Sequence, residues 1–346
     1  MPIQTTCIGA FPKPEYVPIR DWFQVDHGDA DYQEKVVDQW NDSPENEALF
    51  QRATREVIKA QVACGVDVPT DGEIRRENYV HYQCRQFSGF DFSKLERRVL
   101  RNGAYESVLP AIRGPVEAGN PVLPRDYKLA QAGCDRPVKI TLPGPLTIMD
   151  TTADCFYDDD RRLALDLANA LNKEVLALAA AGCRYIQVDE PVFARKPDAA
   201  LEYGVEMLER IFHGVPEHVE RTSHMCCGYP DKLDNPDYPK ADHNTYHQLV
   251  EALDGRIDAL SIEDCHCGND LSLFEKFRKT KAIVGFVDIS TSHIEPVAAI
   301  RARMQELLEI LPPERLIAAP DCGLGLLGTE LSLTKLTNMC LAAARV

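Results

Sequence analysis

Positive charge is scarce in this 346-residue chain: 38 Lys and Arg stand against 54 Asp and Glu, a formal net charge of −16. A field of that sign repels polyanions, which argues against nucleic acid or an anionic membrane as partner. Small anionic substrates stay open, because a local basic pocket survives in an acidic protein. No apolar run approaches the roughly 20 residues of a membrane span. The opening MPIQTTCIGAFP lacks a basic stretch followed by an apolar one, so a secretory signal is not expected. No G-x-G-x-x-G opens the first apolar unit, which weakens an open dinucleotide-binding sheet. Tryptophan is nearly absent, with only Trp22 and Trp40. Repeats, low-complexity tracts and linkers are missing too, so the expectation is a single domain over residues 1–346.

Cysteine, in contrast, is plentiful, at twelve. The cysteines are scattered along a long chain rather than concentrated in a small scaffold. With no secretory context, this reads as a reducing cytoplasm, with most thiols as small buried hydrophobes and a few as ligands.

Short apolar runs alternate with longer helical patterns. Strands are predicted at 5–11, 66–72, 138–145, 183–191, 219–228, 259–264, 282–289 and 316–323. Between them, 46–64, 161–182 and 296–311 carry apolar residues at three- and four-residue spacings. Strand–helix alternation implies a parallel sheet, and eight strands favour a closed (β/α)8 TIM barrel. The stretch from about 73 to 137 is too long for a simple crossover. It is expected to be an insertion between strands 2 and 3, packed over one mouth of the barrel, with Asn102-Gly103 as a hairpin turn.

Polar residues gather at the C-terminal ends of the predicted strands: Asp71 and Glu73, Asp189 and Glu190, His224 and Cys226, Glu263, Asp288, Asp321 and Cys322. In a (β/α)8 barrel these ends converge on the face that carries the chemistry. Along RTSHMCCGYP (221–230), His224 and Cys226 share a strand face while Cys227 points the other way. Imidazole, thiolate and carboxylate together suit zinc, with Glu263 and Cys322 able to complete a tetrahedron. Cys265 and Cys267 share the parity of Glu263, so spacing alone leaves either as a substitute for Cys322. Adjacent cysteines are not a C-x-x-C redox pair. Asp189 could orient a substrate ammonium or cap the following helix, and Glu73 reads the same way, with neutralising arginines in RREN (75–78).

These stretches, from IGAFP (8–12) through DGEIRRENYV (71–80), TLPGPLTI (141–148), IQVDEP (186–191), HMCC (224–227), LSIED (260–264) and VDIS (287–290) to PDCGLGL (321–326), resemble the catalytic barrel of cobalamin-independent methionine synthase, in a short, core-only form. The resemblance covers nearly the whole chain, with unrelated motifs agreeing in order. It implies a zinc-dependent methyltransferase that activates homocysteine as a zinc-bound thiolate and yields methionine. Zn2+ would be held by His224, Cys226, Glu263 and Cys322. Homocysteine would sit near Ile8, Gly9 and Ala10, with Glu73 and Asp189 on its ammonium. Three features depart from the family. Ala10 replaces a serine. Asp288-Ile289-Ser290 stands where the family has D-I-H-S, leaving Ser290 or His293 to replace its acid. The folate-face tryptophan is missing, and Arg195 replaces an acidic residue. The methyl donor therefore stays open among a methyl folate, methylcobalamin on a partner protein that delivers the methyl group, and another methyl compound. Alternative readings are a zinc-dependent alkyltransferase for another thiol and a non-catalytic zinc-containing accessory barrel.

Overall fold

The computed structural model describes residues 2–21, 43–100, 105–235 and 237–346. Ten strands are described: β1 (Gln4–Thr5), β2 (Phe90–Leu100), β3 (Tyr105–Ile112), β4 (Lys139–Pro143), β5 (Ala153–Asp154), β6 (Tyr185–Asp189), β7 (Glu220–Met225), β8 (Ala259–Ile262), β9 (Lys281–Gly285) and β10 (Leu316–Ala319). Seven form one parallel sheet in the order β1-β10-β9-β8-β7-β6-β4. The ring closes through residues 68–70, where Thr6 bridges Val68 and Thr70 bridges Lys139, both in parallel. Pro69 separates the two bridges; it has no N–H to give to the ladder, but its carbonyl accepts from the Lys139 N–H at 2.8 Å. The eight staves of a (β/α)8 barrel are thus present in the predicted order.

Helices cover the outside. The helix Pro44–Cys64 is capped by Ser43, and Gly65 follows it with φ 103°, a left-handed position that glycine fills without a Cβ clash. The helix Asp160–Ala180 buries Leu163, Leu167, Leu171, Val175 and Leu178 against the sheet. The Asp159 side chain caps it by accepting from the Arg162 N–H at 3.1 Å. Outward-facing strand residues such as Ile140, Leu142, Ile186, Val188, Leu260 and Ile262 are fully buried beneath such helices. Among the described residues no helix is long and apolar enough to cross a membrane.

The insertion between the second and third staves holds the helices Tyr79–Cys84 and Leu123–Gln131 with the antiparallel β2–β3 hairpin between them. β3 also pairs with β5, which follows the third stave, β4, and this ties the hairpin to the C-terminal side of the barrel. The predicted Asn102-Gly103 turn and both tryptophans lie outside the described residues.

Strand periodicity sets what the barrel interior contains. Lys139 and Thr141 on β4, Gln187 and Asp189 on β6, Thr222 and His224 on β7, and Ser261 on β8 share the inward parity and are all buried. Lys139 Nζ donates to Gln187 Oε1 at 2.6 Å, and the Gln187 amide donates to Asp189 Oδ1 at 2.7 Å. The opposite wall is apolar, built from Ile8, Ala259, Ile283, Ile317 and Ala319. A polar column therefore climbs one side of the interior and ends at the C-terminal mouth.

Candidate active site

At that mouth the last inward residues of neighbouring strands meet. β6 and β7 pair in register with Asp189 opposite His224, and β7 and β8 place His224 opposite Ser261. His224 Nδ1 lies 2.9 Å from Ser261 Oγ, while its buried Nε2 has no hydrogen-bond partner among the described residues. An unpartnered buried nitrogen costs free energy unless something occupies its lone pair. Ligand atoms of His224, Cys226 and Cys322 lie within 4.8 Å of one another. Glu263 adjoins them, its Oε1 3.2 Å from Cys226 Sγ and its Oε2 accepting from the Cys227 N–H at 2.6 Å.

Electrostatics point the same way. Burial pushes Glu263 well above the usual carboxylate range, and the neighbouring Cys226 and Cys227 reinforce the shift. Cys226 is pushed up by its contact with Cys322 and by burial. Burial lowers His224 to about 3, so its imidazole is neutral at physiological pH. Crowded anion-forming groups without a cation retain their protons, and a dication would reverse that. The donor set of neutral imidazole, two thiols and a carboxylate fits a thiophilic tetrahedral metal.

The rival cysteines separate. Cys265 is exposed and lies outside the His224 group, its Sγ 3.9 Å from Glu295 Oε1. Cys267 joins Cys227 and Glu263 in a second group of close ligand atoms. Asp321 anchors the loop after β8: its carboxylate accepts from the N–H groups of Asp264, Cys265 and His266. Cys227 points away from Cys226, with Sγ 3.2 Å from the Tyr246 hydroxyl. All twelve cysteines are free thiols.

Beside the sulfur cluster lies a carboxylate pair. Glu73 adopts φ 56°, a left-handed conformation uncommon outside glycine, and follows Gly72 at φ 69°. This turn brings Glu73 Oε1 within 2.8 Å of Thr141 Oγ1 and 3.7 Å of Arg76 Nη1. Arg76 is committed mainly to Asp71 Oδ2, at 2.8 Å. Burial raises Glu73. Asp189 is raised well above its ordinary value by burial and then by the charge of Glu73. The Ile8–Ala10 loop closes over both: Ile8 O accepts from the Gln187 amide at 2.8 Å, and a Cβ on Gly9 would sit 2.7 Å from Glu73 Oε1. Helix capping near this strand end falls to Glu190, not Asp189. The Glu190 carboxylate accepts from the N–H groups of Leu146 and Thr147 at the start of helix Pro145–Asp150.

Further round the mouth, Ser290 Oγ and Ser290 N both donate to Asp288 Oδ1, at 2.6 and 2.7 Å. His293 is exposed, and its ring makes no hydrogen bond among the described residues. Arg195 pairs with Asp150 at 3.1 Å. Sequence reasoning missed three tyrosines. Tyr79 is close enough to feel Asp189, Glu73, Cys322 and Cys226. The Tyr229 hydroxyl donates to Gly323 O at 3.2 Å. Tyr238, which is 6% exposed, lies close enough to feel Ser290 and Glu263. Tyr79 lies within DGEIRRENYV (71–80), whereas the loop around Tyr238 carries no recognisable pattern.

The family model described as "Cobalamin-independent synthase, Catalytic domain" matches residues 3–345. The chain belongs to the cobalamin-independent methionine synthase family. As a family member it is a methyltransferase. Among its relatives, the methionine synthase of Sulfolobus acidocaldarius is 30% identical over 339 residues, covering 97% of this chain and 90% of the relative. The methionine synthase of Thermococcus kodakarensis is 26% identical, covering 97% and 91%. A B12-independent methionine synthase from Shewanella sp. W3-18-1, solved in complex with selenomethionine, superposes with a TM-score of 0.85 at 26% identity, covering 99% of this chain and 97% of that one.

Proposed function

We propose that the protein methylates the thiol of homocysteine to give methionine, with His224, Cys226, Glu263 and Cys322 as the ligands of a zinc ion. The observation that carries this reading is the orphaned Nε2 of His224 beside Cys226 and Cys322. Bound zinc supplies the Lewis acidity that keeps a substrate thiol deprotonated near neutrality, where a free thiol with a pKa near 8.5 is mostly protonated. Every ligand is a strong donor, which favours thiol binding over hydroxide generation.

The residues of the chain do the rest. Glu73 and Asp189 form a buried carboxyl pair whose ionised form a substrate ammonium would stabilise. Gln187 fixes the Asp189 carboxylate, and the Ile8–Ala10 loop, lacking a side chain at Gly9, lets substrate backbone approach. The complex of the Shewanella relative with selenomethionine, the selenium counterpart of the methylated product, supports a site shaped for that amino acid. Ser290 and Asp288, with Tyr238 beside Ser290, line the side from which the methyl donor would approach. The proton for the leaving group would come from Ser290 or from His293, three residues on; serine is a poor acid near neutrality, which favours His293. Holding sulfur and donor in line within this walled mouth supplies the orientation that methyl transfer needs.

The test supplies zinc-loaded protein with homocysteine and, in turn, a methyl folate, methylcobalamin on a carrier protein and a simpler methyl pterin, and measures methionine. Methionine from at least one donor is expected; none from any donor overturns the reading. His224→Ala and Cys322→Ser are expected to lose zinc and activity together, and retained zinc in both refutes the ligand set. If thiols lacking the ammonium are alkylated as well as homocysteine, and Asp189 is not needed for them, the alkyltransferase reading prevails.

A further inference from the structure

Behind the first ligand group lies a second one that the proposed reaction does not use. Cys227 Sγ, Cys267 Sγ and a Glu263 carboxylate oxygen lie within 4.8 Å of one another. The two sulfurs are 3.9 Å apart. Zinc–sulfur bonds of about 2.3 Å meeting at a tetrahedral angle put two sulfurs about 3.8 Å apart. His266 Nε2 lies 3.2 Å from Cys267 Sγ and 3.6 Å from Glu263 Oε2. Its other nitrogen, Nδ1, is 2.9 Å from Asp321 Oδ2. With Nδ1–H donating to Asp321, a cation at the cluster would take the place of the second imidazole proton on Nε2. A carboxylate behind a histidine in this way is the arrangement that orients metal-ligating imidazoles. Asp321 also accepts from three backbone N–H groups of the loop, which fixes the histidine's position.

We propose that Cys227, Cys267, Glu263 and His266 form a second binding site for a thiophilic divalent cation of the zinc type, sharing the Glu263 carboxylate with the His224–Cys226–Cys322 site. Glu263 is fully buried and divides its two oxygens, Oε1 toward Cys226 and Oε2 toward the Cys227 N–H and His266. A carboxylate held this way can bridge two ions. Charge balances as well. One dication with two thiolates, one carboxylate and a neutral imidazole carries a net charge of about −1. A second dication adds two positive charges while Cys227 and Cys267 release two protons to solvent, so the net charge is unchanged. The site lies on the opposite strand face from the substrate mouth, because Cys226 and Cys227 are consecutive residues leaving β7. The second ion would fix the loop 263–267, and with it the orientation of Glu263 at the first site.

The proposal does not depend on the substrate assigned above, and the test separates the two. Reduced, metal-free protein is titrated anaerobically with Co2+, following thiolate-to-metal charge-transfer absorption, and zinc per chain is measured by elemental analysis. Two equivalents are expected, the second adding absorption comparable to the first. Cys267→Ser and His266→Ala should lose the second equivalent and keep the first. His224→Ala should lose the first and keep the second. Alkylation of the zinc-loaded wild type, read by mass spectrometry, should find Cys227 and Cys267 protected relative to the metal-free protein, which tests the site without any substitution. A single equivalent insensitive to Cys267→Ser, unprotected thiols at 227 and 267, or a Cys227–Cys267 disulfide in freshly purified protein would each overturn the proposal.

Discussion

Asp189→Asn tests the ammonium-binding pair with two effects of opposite sign. The change is isosteric, and the new amide oxygen can still accept from Gln187, whose donor sits 2.7 Å from Asp189 Oδ1. What disappears is one negative charge from a pair of buried carboxylates. A charge-assisted hydrogen bond contributes about 1.5–3 kcal/mol, so homocysteine should bind roughly 10- to 150-fold more weakly. Stability of the ligand-free protein should move the other way. Folding raises Asp189 well above its ordinary value. Between the unfolded and folded pKa values the folded state therefore binds more protons, and stability falls as pH rises through that window. The asparagine removes this penalty. The variant should melt higher than wild type at pH 8, with the gain vanishing near pH 4. Calorimetric titration with homocysteine and with its analogue lacking the ammonium, plus thermal melts across pH, measure both effects. Equal weakening for the two ligands, or homocysteine affinity within twofold of wild type, refutes the assignment of Asp189 to the ammonium.

Three further outcomes are expected. Gly9→Ala puts a Cβ 2.7 Å from Glu73 Oε1, which Thr141 pins at 2.8 Å, so the carboxylate must shift by about 0.7 Å to reach ordinary contact; kcat/KM for homocysteine should fall by about 10- to 100-fold with little change in melting temperature. Tyr238→Phe removes the hydroxyl beside Ser290 and should lower kcat while leaving zinc content and homocysteine affinity intact; a changed KM with unchanged kcat would move Tyr238 off the donor side. Lys139 is buried in the barrel with its pKa lowered to about 8 by desolvation. The unfolded chain there binds the extra proton between about pH 8 and 10.4, so this group makes stability rise with pH across that window. Denaturant melts of Lys139→Met should lack that rise relative to wild type.

The alternation of apolar runs and helical periods by itself determined the eight staves, their order and the helices between them, because those signals are local and repeat every two or 3.6 residues. The same two-residue period placed His224 and Cys226 on one face and Cys227 on the other. Strand ends set the limit. Past β8 and β10 the chain has no period, and whether a cysteine there faces one sulfur or another depends on how the barrel closes. Parity made Cys265 and Cys267 look equivalent, but the grip of Asp321 on the loop turns Cys265 out and brings Cys267 to Cys227. The helix after β6 takes no side-chain cap, so Asp189 is left to the mouth, while Glu190 reaches across to cap the helix Pro145–Asp150. Tyr238 reaches Ser290 from a loop whose sequence carries no signal. Closure of the barrel also decided that one carboxylate, Glu263, stands between two groups of cysteine sulfurs. Distances between residues on different staves follow from strand tilt and stagger, which no single strand encodes.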